Sequence, residues 1–292
     1  MVDRETAPGA VVVGVDGSAT DTAAVRWAVE EAHRRPARLC VVHALSQRHS
    51  GAFQRANPAF VAEERRTADE VLCSAIRQAR VLGGDVDVHP VLEAGRPAVV
   101  LLRRAVAAAL VVLGSTGRGG FAGLLLGSTS LQVAMHASCP VVVLRDHATG
   151  AGPASGRIVV GTDGSPTSDS ALRFAFARAR RDGRSLTVVR AWGSAAIVVD
   201  VPGSAKWEQV EKEEQATLSE ALVPWRDRYP EVDVLEKAVL GNAAALLVDE
   251  SAAAELLVVG SRGRGGFGGL LLGSVSHAAL HHAHCPVAVV RR

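Results

Sequence analysis

The chain has 292 residues and a mass of 30.4 kDa, a length that suits two domains of about 150 residues better than one. Apolar residues at 48% and charged residues at 21% fit a packed globular protein and exclude a disordered one. The 32 Lys+Arg against 30 Asp+Glu leave a net charge of +2, which removes any electrostatic case for nucleic acid or an anionic membrane as partner.

Residues 1–10, MVDRETAPGA, carry charge where a secretory leader needs an apolar stretch. No apolar run reaches the roughly 18 residues of a membrane span; the best candidate, Val99 to Leu113, is broken by Arg103 and Arg104. The 4 Cys have no close spacing, so neither a disulfide framework nor a zinc site is expected. The expected setting is the cytoplasm, with reduced thiols.

In chain order, Ala10–Val15 is an apolar run closed by Asp16-Gly17, which predicts a strand buried on both faces. A helix follows with Val25, Ala28, Val29 and Ala32 on one face. Leu39–Ala44 is the second strand, and Cys40 within it reads as core. A long helix then aligns Ala68, Val71, Leu72, Ala75, Ile76, Ala79 and Leu82, with Cys73 beside that face. Val86–Leu92 is the third strand. Pro97–Ala109 is a helix with Ala98, Leu101, Leu102, Ala105 and Ala109 facing inward. Leu110–Leu113, Ser128–Ala137 and Val141–Leu144 complete the half as strand, helix and strand.

The second half repeats the first. Gly114–Arg145 and Gly260–Arg291 are identical at 21 of 32 positions, and VVVGVDGSATD at 11–21 matches IVVGTDGSPTS at 158–168. Leu172, Ala175, Phe176 and Ala179 repeat the first helix's apolar face, behind Ser165 as N-cap and Pro166 at the first helical position. A period of half the chain is a domain duplication. The expected domains are 1–147 and 155–292, joined by the Gly- and Ala-rich segment Asp146–Gly156. Strict strand–helix alternation implies an α/β fold, with two tandem doubly wound five-stranded parallel sheets; the strand order is taken as 3-2-1-4-5, which sets strands 1 and 4 side by side.

In such sheets a ligand sits beyond the carboxyl ends of the strands, where the order reverses. Two loops leave carboxyl ends with unusual chemistry. One carries Asp16, or Asp163 in the copy. The other reads Gly114-x-x-Gly117, nine residues, Gly127-Ser128; its copy reads Gly260-x-x-Gly263, nine residues, Gly273-Ser274. Glycines there let backbone N–H groups approach a ligand without a Cβ in the way. Gly127-Ser128-Thr129-Ser130 also opens a helix, whose free N–H groups and positive dipole end suit a phosphate. The loop lacks the GxxxxGK[ST] of a P-loop. The literal G-x-G-x-x-G at Gly263–Gly268 neither leads directly into a helix nor precedes an acidic residue at dinucleotide-fold spacing. His277 and His281 share a helix face, but the first half has Leu131 and Met135 there and no carboxylate accompanies them, so no metal-ligand set is assigned.

GVDGS at 14–18, GTDGS at 161–165, the two glycine loops, and CPV at 139–141 and 285–287 together resemble the tandem universal stress proteins, in their ATP-binding subclass. The resemblance implies a flavodoxin-like, adenine nucleotide alpha-hydrolase-like fold and one ATP per half, with Mg²⁺. In the first half it points to Gly14, Asp16, Ala44, Leu113, Gly114, Ser115, Gly117, Arg118, Gly119, Gly120, Gly127, Ser128, Thr129 and Ser130. In the second it points to Gly161, Asp163, Ala191, Val259, Gly260, Ser261, Gly263, Arg264, Gly265, Gly266, Gly273, Ser274, Val275 and Ser276. Asp16 and Asp163 would contact the adenosine moiety. The backbone at Ala44 and Ala191 would reach adenine, which Leu113 and Val259 would flank. The glycine and hydroxyl residues would hold ribose and phosphates. Thr116 stands where the copy has Arg262, which makes the two sites unequal in phosphate donors. The implied role is a nucleotide-dependent regulator of the stress response. The rival is a slow ATPase or a phosphoryl- or nucleotidyl-transferring enzyme, disfavoured because the loop carries no Lys, His or Glu to do that chemistry. The duplication also leads us to expect an internal pseudo-dimer through the last strands, and a homodimer of chains is a further option.

Overall fold

The computed structural model describes residues 6–45, 57–117, 126–145, 156–193, 205–264 and 271–291. The chain divides into two compact units, Met1–Thr149 and Gly150–Arg292.

In the first unit Val11, Val12 and Val13 are wholly buried, because strand β1 (Val11–Gly14) runs between two neighbours and under helices on both faces. The other elements are α1 (Asp21–Arg34), β2 (Leu39–Leu45), α2 (Pro58–Gly83), β3 (Val88–Ala94), α3 (Pro97–Ala105), β4 (Leu110–Gly114), α4 (Ser128–His136) and β5 (Val141–Leu144). All pairings are parallel, in the order β3-β2-β1-β4-β5. Helices α1 and α2 pack together on one face of the sheet, and α3 and α4 on the other. The apolar face expected on α1 is buried in full, from Val25 to Ala32.

The second unit repeats this with β6 (Ile158–Gly161), α5 (Pro166–Asp182), β7 (Leu186–Trp192), α6 (Ala205–Arg228), β8 (Val234–Leu240), α7 (Ala243–Ser251), β9 (Leu256–Gly260), α8 (Ser274–His282) and β10 (Val287–Val290). Its pairings are again parallel, in the order β8-β7-β6-β9-β10. Helix α5 starts as expected: Ser165 accepts from the Ser168 N–H, and Pro166 follows. It ends at Gly183 in the left-handed conformation, φ 62°. Phe176, wholly buried, stacks on Trp225 of α6 and on Tyr229 just beyond its end, with ring centroids at 5.5 Å in each case.

Three expectations shift. Strand β3 runs two residues later than 86–92, because Val86 N–H closes a turn onto Gly83 O at 2.8 Å. Helix α3 stops at Ala105 rather than Ala109, since residues 107–109 are drawn beside β1: Gly9 N–H donates to Ala107 O and Ala109 N–H to Ala10 O, both at 2.9 Å. On α2 the inner face is narrower than expected: Ala68, Leu72, Ala75 and Ala79 are buried but Leu82 is 44% exposed, because the strand at this end is the sheet edge. Among the described residues no helix is long and apolar enough to cross a membrane.

Candidate functional site

Adjacent parallel strands β1 and β4 send the chain away in opposite directions, so their carboxyl ends open the crevice of the first unit. The loop after β1 is locally self-organised. Gly17, at φ 82°, makes a turn that few other residues tolerate. Asp16 Oδ1 accepts from Ser18 N–H at 3.0 Å, while Asp21 Oδ2 accepts from Asp16 N–H at 3.0 Å and Gly17 N–H at 2.6 Å. Burial is the main force pushing the Asp21 carboxyl up to about 6; the neighbouring Asp16 charge adds to it, and the backbone bonds oppose it. His43, on β2, donates from Nδ1 to Val15 O at 2.7 Å.

The loop after β4 is tied to this one and to α4. Thr20 Oγ1 donates to Thr116 O at 2.8 Å, and Ser18 Oγ is within 3.3 Å of the same carbonyl. Gly127 N–H donates to Ser115 O at 2.6 Å, which sets the start of α4 against the end of β4. Gly127 is the N-cap of α4 and no side chain caps the helix. The first intrahelical bond is Leu131 N–H to Gly127 O at 3.0 Å, so the N–H groups of Ser128, Thr129 and Ser130 come before the ladder begins. The Ser130 hydroxyl donates inward to Gly114 O at 2.7 Å, which leaves that residue's backbone rather than its side chain for a ligand. The Ser128 side chain is exposed and Thr129 half-buried.

The second unit builds the same frame. Thr167 Oγ1 donates to Arg262 O at 2.5 Å, Gly273 N–H to Ser261 O at 2.8 Å, and Ser276 Oγ bonds Ser261 O at 3.1 Å. Helix α8 likewise has a glycine N-cap, Gly273, and no side-chain cap, whereas α5 and α7 of the same unit are capped by Ser165 and Asn242. Asp163 bridges the two loops: Oδ1 accepts from Ser165 N–H at 2.9 Å and Oδ2 from Arg264 N–H at 2.7 Å. Burial pushes this carboxyl up, but those hydrogen bonds outweigh it and hold the group below its usual range.

The two crevices therefore gather Gly14, Asp16, Gly114, Ser115, Gly117 and Gly127–Ser130 in one unit, and Gly161, Asp163, Gly260, Ser261, Gly263, Arg264 and Gly273–Ser276 in the other. Leu113 is buried, its side chain lying against Gly14, and Val259 is buried at the matching place on β9. Ala44 and Ala191 are half-buried near the ends of β2 and β7. Arg118, Gly119, Gly120, Gly265 and Gly266 lie outside the described residues. At Gly117 a Cβ would come within 2.5 Å of Asp16 Oδ2, and at Gly263 within 2.6 Å of Asp163 Oδ2, so these glycines first make room for the aspartate. A Cβ at Gly127 would meet nothing nearer than Ser115 O at 3.3 Å.

Thr20, Thr167 and Asp21 were not singled out from the sequence. The threonines had a signal there, the Ser-x-Thr of SAT at 18–20 repeated as SPT at 165–167. Cys139 and Cys285 of the CPV segments are buried, and burial pushes both thiols up to about 12, so they pack rather than react. Among the described residues no three His, Cys, Asp or Glu side chains group to hold a metal ion. An open groove on the outer face of α2, lined by Arg65, Arg66, Asp69, Glu70, Cys73 and Arg77, belongs to one helix and is distant in sequence from every loop of the crevice.

The universal stress protein family matches residues 9–145 and again 155–291. Universal stress protein Rv2005c of Mycobacterium tuberculosis is 39% identical over 287 residues, covering 97% of each chain. A universal stress protein of Mycolicibacterium smegmatis is 36% identical over 299 residues, covering 100% of this chain and 99% of the relative. The crystal structure of a universal stress protein from Archaeoglobus fulgidus superposes with a TM-score of 0.73 at 19% identity, covering 99% of this chain and 98% of the other, a likeness of fold. With both halves matched and relatives similar along nearly their whole length, the chain belongs to the universal stress protein family, as a tandem of two such domains.

Proposed function

We propose that each half binds one ATP at its switch point, with Mg²⁺, and that occupancy sets the conformation or partner affinity of a regulator in the stress response. The observation that carries this reading is the pair of helix starts, α4 and α8. Each has a glycine N-cap, no side chain of its own to accept from the first turn, and a tie to the neighbouring strand end. Such a start offers several N–H donors to an anion. Charge-assisted bonds contribute about 1.5–3 kcal/mol each, and micromolar binding needs about 8 kcal/mol, so three or four phosphate contacts carry much of it. The base supplies the rest by burial near Ala44 and Leu113, or Ala191 and Val259. The residues present fit the nucleotide: the N–H groups of Ser128–Ser130 and Ser274–Ser276, with the hydroxyls of Ser128, Thr129 and Ser274, would hold phosphates. Asp16 and Asp163 would meet the adenosine side. The metal would neutralise phosphate charge when bound. That the halves pair as an internal pseudo-dimer, and chains as homodimers, is part of the same proposal; cross-linking and sedimentation test it.

Mass spectrometry of small molecules released on denaturing the purified protein tests the nucleotide, with titration calorimetry for affinity. ATP is the expected ligand, at up to two per chain. Preferred binding of NAD, or no nucleotide bound at millimolar concentration, would reject the proposal.

A further inference from the structure

At three matched positions around the two crevices the second half is the more positive; the exposed Thr22, which is Asp169 in the second half, changes the other way. Asp21 of the first half is Ser168 in the second, Thr116 is Arg262, and His43 is Arg190. Arg190 brings its own counter-ion, since its Nε donates to Glu214 Oε2 at 3.0 Å. The other two changes remove one negative charge and add one positive.

Thr116 and Arg262 lie where phosphates would approach. The Arg262 Cα is 3.4 Å from a Cβ built on Gly273, the N-cap of α8, and the Thr116 Cα is 3.7 Å from one built on Gly127. The backbone at this position is held alike in both halves, by Thr167 and by Thr20. Arg291 lies close enough for burial, together with the Arg262 charge, to push its guanidinium down. Its partner in the first half, Arg145, is also Arg, so that charge is common to both. In the first half the Asp21 carboxylate is held under the β1–α1 turn beside Asp16 and Ser18, with His43 bonded to the adjacent Val15 carbonyl. Phosphates at a helix start that has no guanidinium keep their mutual repulsion, which Mg²⁺ would relieve by binding them while keeping several of its waters. A guanidinium at a helix N-terminus meets phosphate directly and bidentately.

Resting on the nucleotide reading of both sites, we infer that the halves hold phosphates by different means. The second uses Arg262 and needs no divalent cation; the first has Thr116 at that position and needs Mg²⁺ to neutralise the phosphates. The full chain with one site blocked at a time tests this: Gly127→Val leaves the second site, Gly273→Val the first. ATP is titrated calorimetrically in EDTA and in excess MgCl₂, with circular dichroism confirming the fold. Removing Mg²⁺ should weaken the first site at least about tenfold and the second by less than about threefold. Arg262→Thr should make the second site Mg²⁺-dependent, and Thr116→Arg should relieve the first. If a glycine variant does not fold, Arg262→Thr and Thr116→Arg in the otherwise unaltered chain, read as two-site isotherms, give the same comparison. An equal Mg²⁺ response of the two sites, or no change with Arg262→Thr, overturns the inference and leaves nucleotide binding standing. Absence of ATP binding by the unaltered chain in either buffer sinks the nucleotide reading and this inference with it.

Discussion

Gly114, Gly117 and Gly127 lie within one crevice yet answer to different constraints. A methyl at Gly114 would overlap the Thr20 hydroxyl, whose β-branched side chain is stiff and bonded to Thr116. Gly114→Ala should therefore cost about 1–3 kcal/mol in a denaturant melt. Gly127→Ala, at an extended φ of −74° with one slightly tight contact at 3.3 Å to Ser115 O, should stay within about 1 kcal/mol while weakening ATP binding. Gly117 is a poorer probe, because a side chain there displaces Asp16. Asp21 makes a separate prediction about pH. Its folded pKa, about 6, lies above the ordinary 3.8. Between these values the folded chain keeps a proton that the unfolded chain has lost, so stability falls as pH rises from about 4 to 6 and stays lowered above that. The partial exposure of the group discounts the effect to about 1–2 kcal/mol. Asp21→Asn keeps an oxygen for the two backbone N–H groups and should flatten that part of the profile in urea melts taken across pH. An unaltered profile would show that Asp21 is not the group responsible. Neither Thr20 nor Asp21 was legible in the chain as a site residue. Their roles depend on Thr116, 96 residues from Thr20, and on burial that only packing creates.

Helices and strands were easier to read, since their signals are local. The Ser165-Pro166 start of α5 and the Asn242 start of α7 are side-chain caps. Ser165→Ala and Asn242→Ala should each cost about 1 kcal/mol, measured by chemical denaturation. Equivalent losses at Gly127 or Gly273 are not expected, because those helices have no side-chain cap to lose. Where element boundaries moved, the cause was a partner distant in sequence: α3 is cut short by the chain ahead of β1, and α2 narrows its buried face at the sheet edge. The same blindness hid the Arg104–Glu93 ion pair at 2.7 Å, in which α3 sets a nearly buried guanidinium against β3. A sequence reading places Arg on an outer face by default; here the carboxylate opposite lets it turn inward.

For the whole molecule, ATP should act as a structural ligand. Binding at 100 times the Kd stabilises the folded chain by about 2.7 kcal/mol per site, so ATP and a non-hydrolysable analogue should raise the melting temperature alike. Phosphate release should run well below the median enzyme rate of about 10 s⁻¹, because a cradle gripping ground-state phosphates does not by itself lower the barrier. Several turnovers per second, abolished in Gly127→Val, Gly273→Val, would instead mark an ATPase. Each unit also carries its own five-stranded sheet and buried valine core, so residues 1–149 expressed alone should unfold cooperatively. By itself the sequence determined the duplication, the alternation of strand and helix and the two loops that carry the aspartates and glycines, while the sheet order came from the pairing of strands. The first three follow from periodicity and spacing along the chain, which need no knowledge of what lies opposite. Tertiary structure alone decided which hydroxyls turn inward, as Ser130 does, which carboxylate is raised by burial, and that Thr116 and Arg262 stand at the helix starts. These depend on side-chain direction and on the packing of loops against helix starts, which exist only once the sheet has set the loops in place.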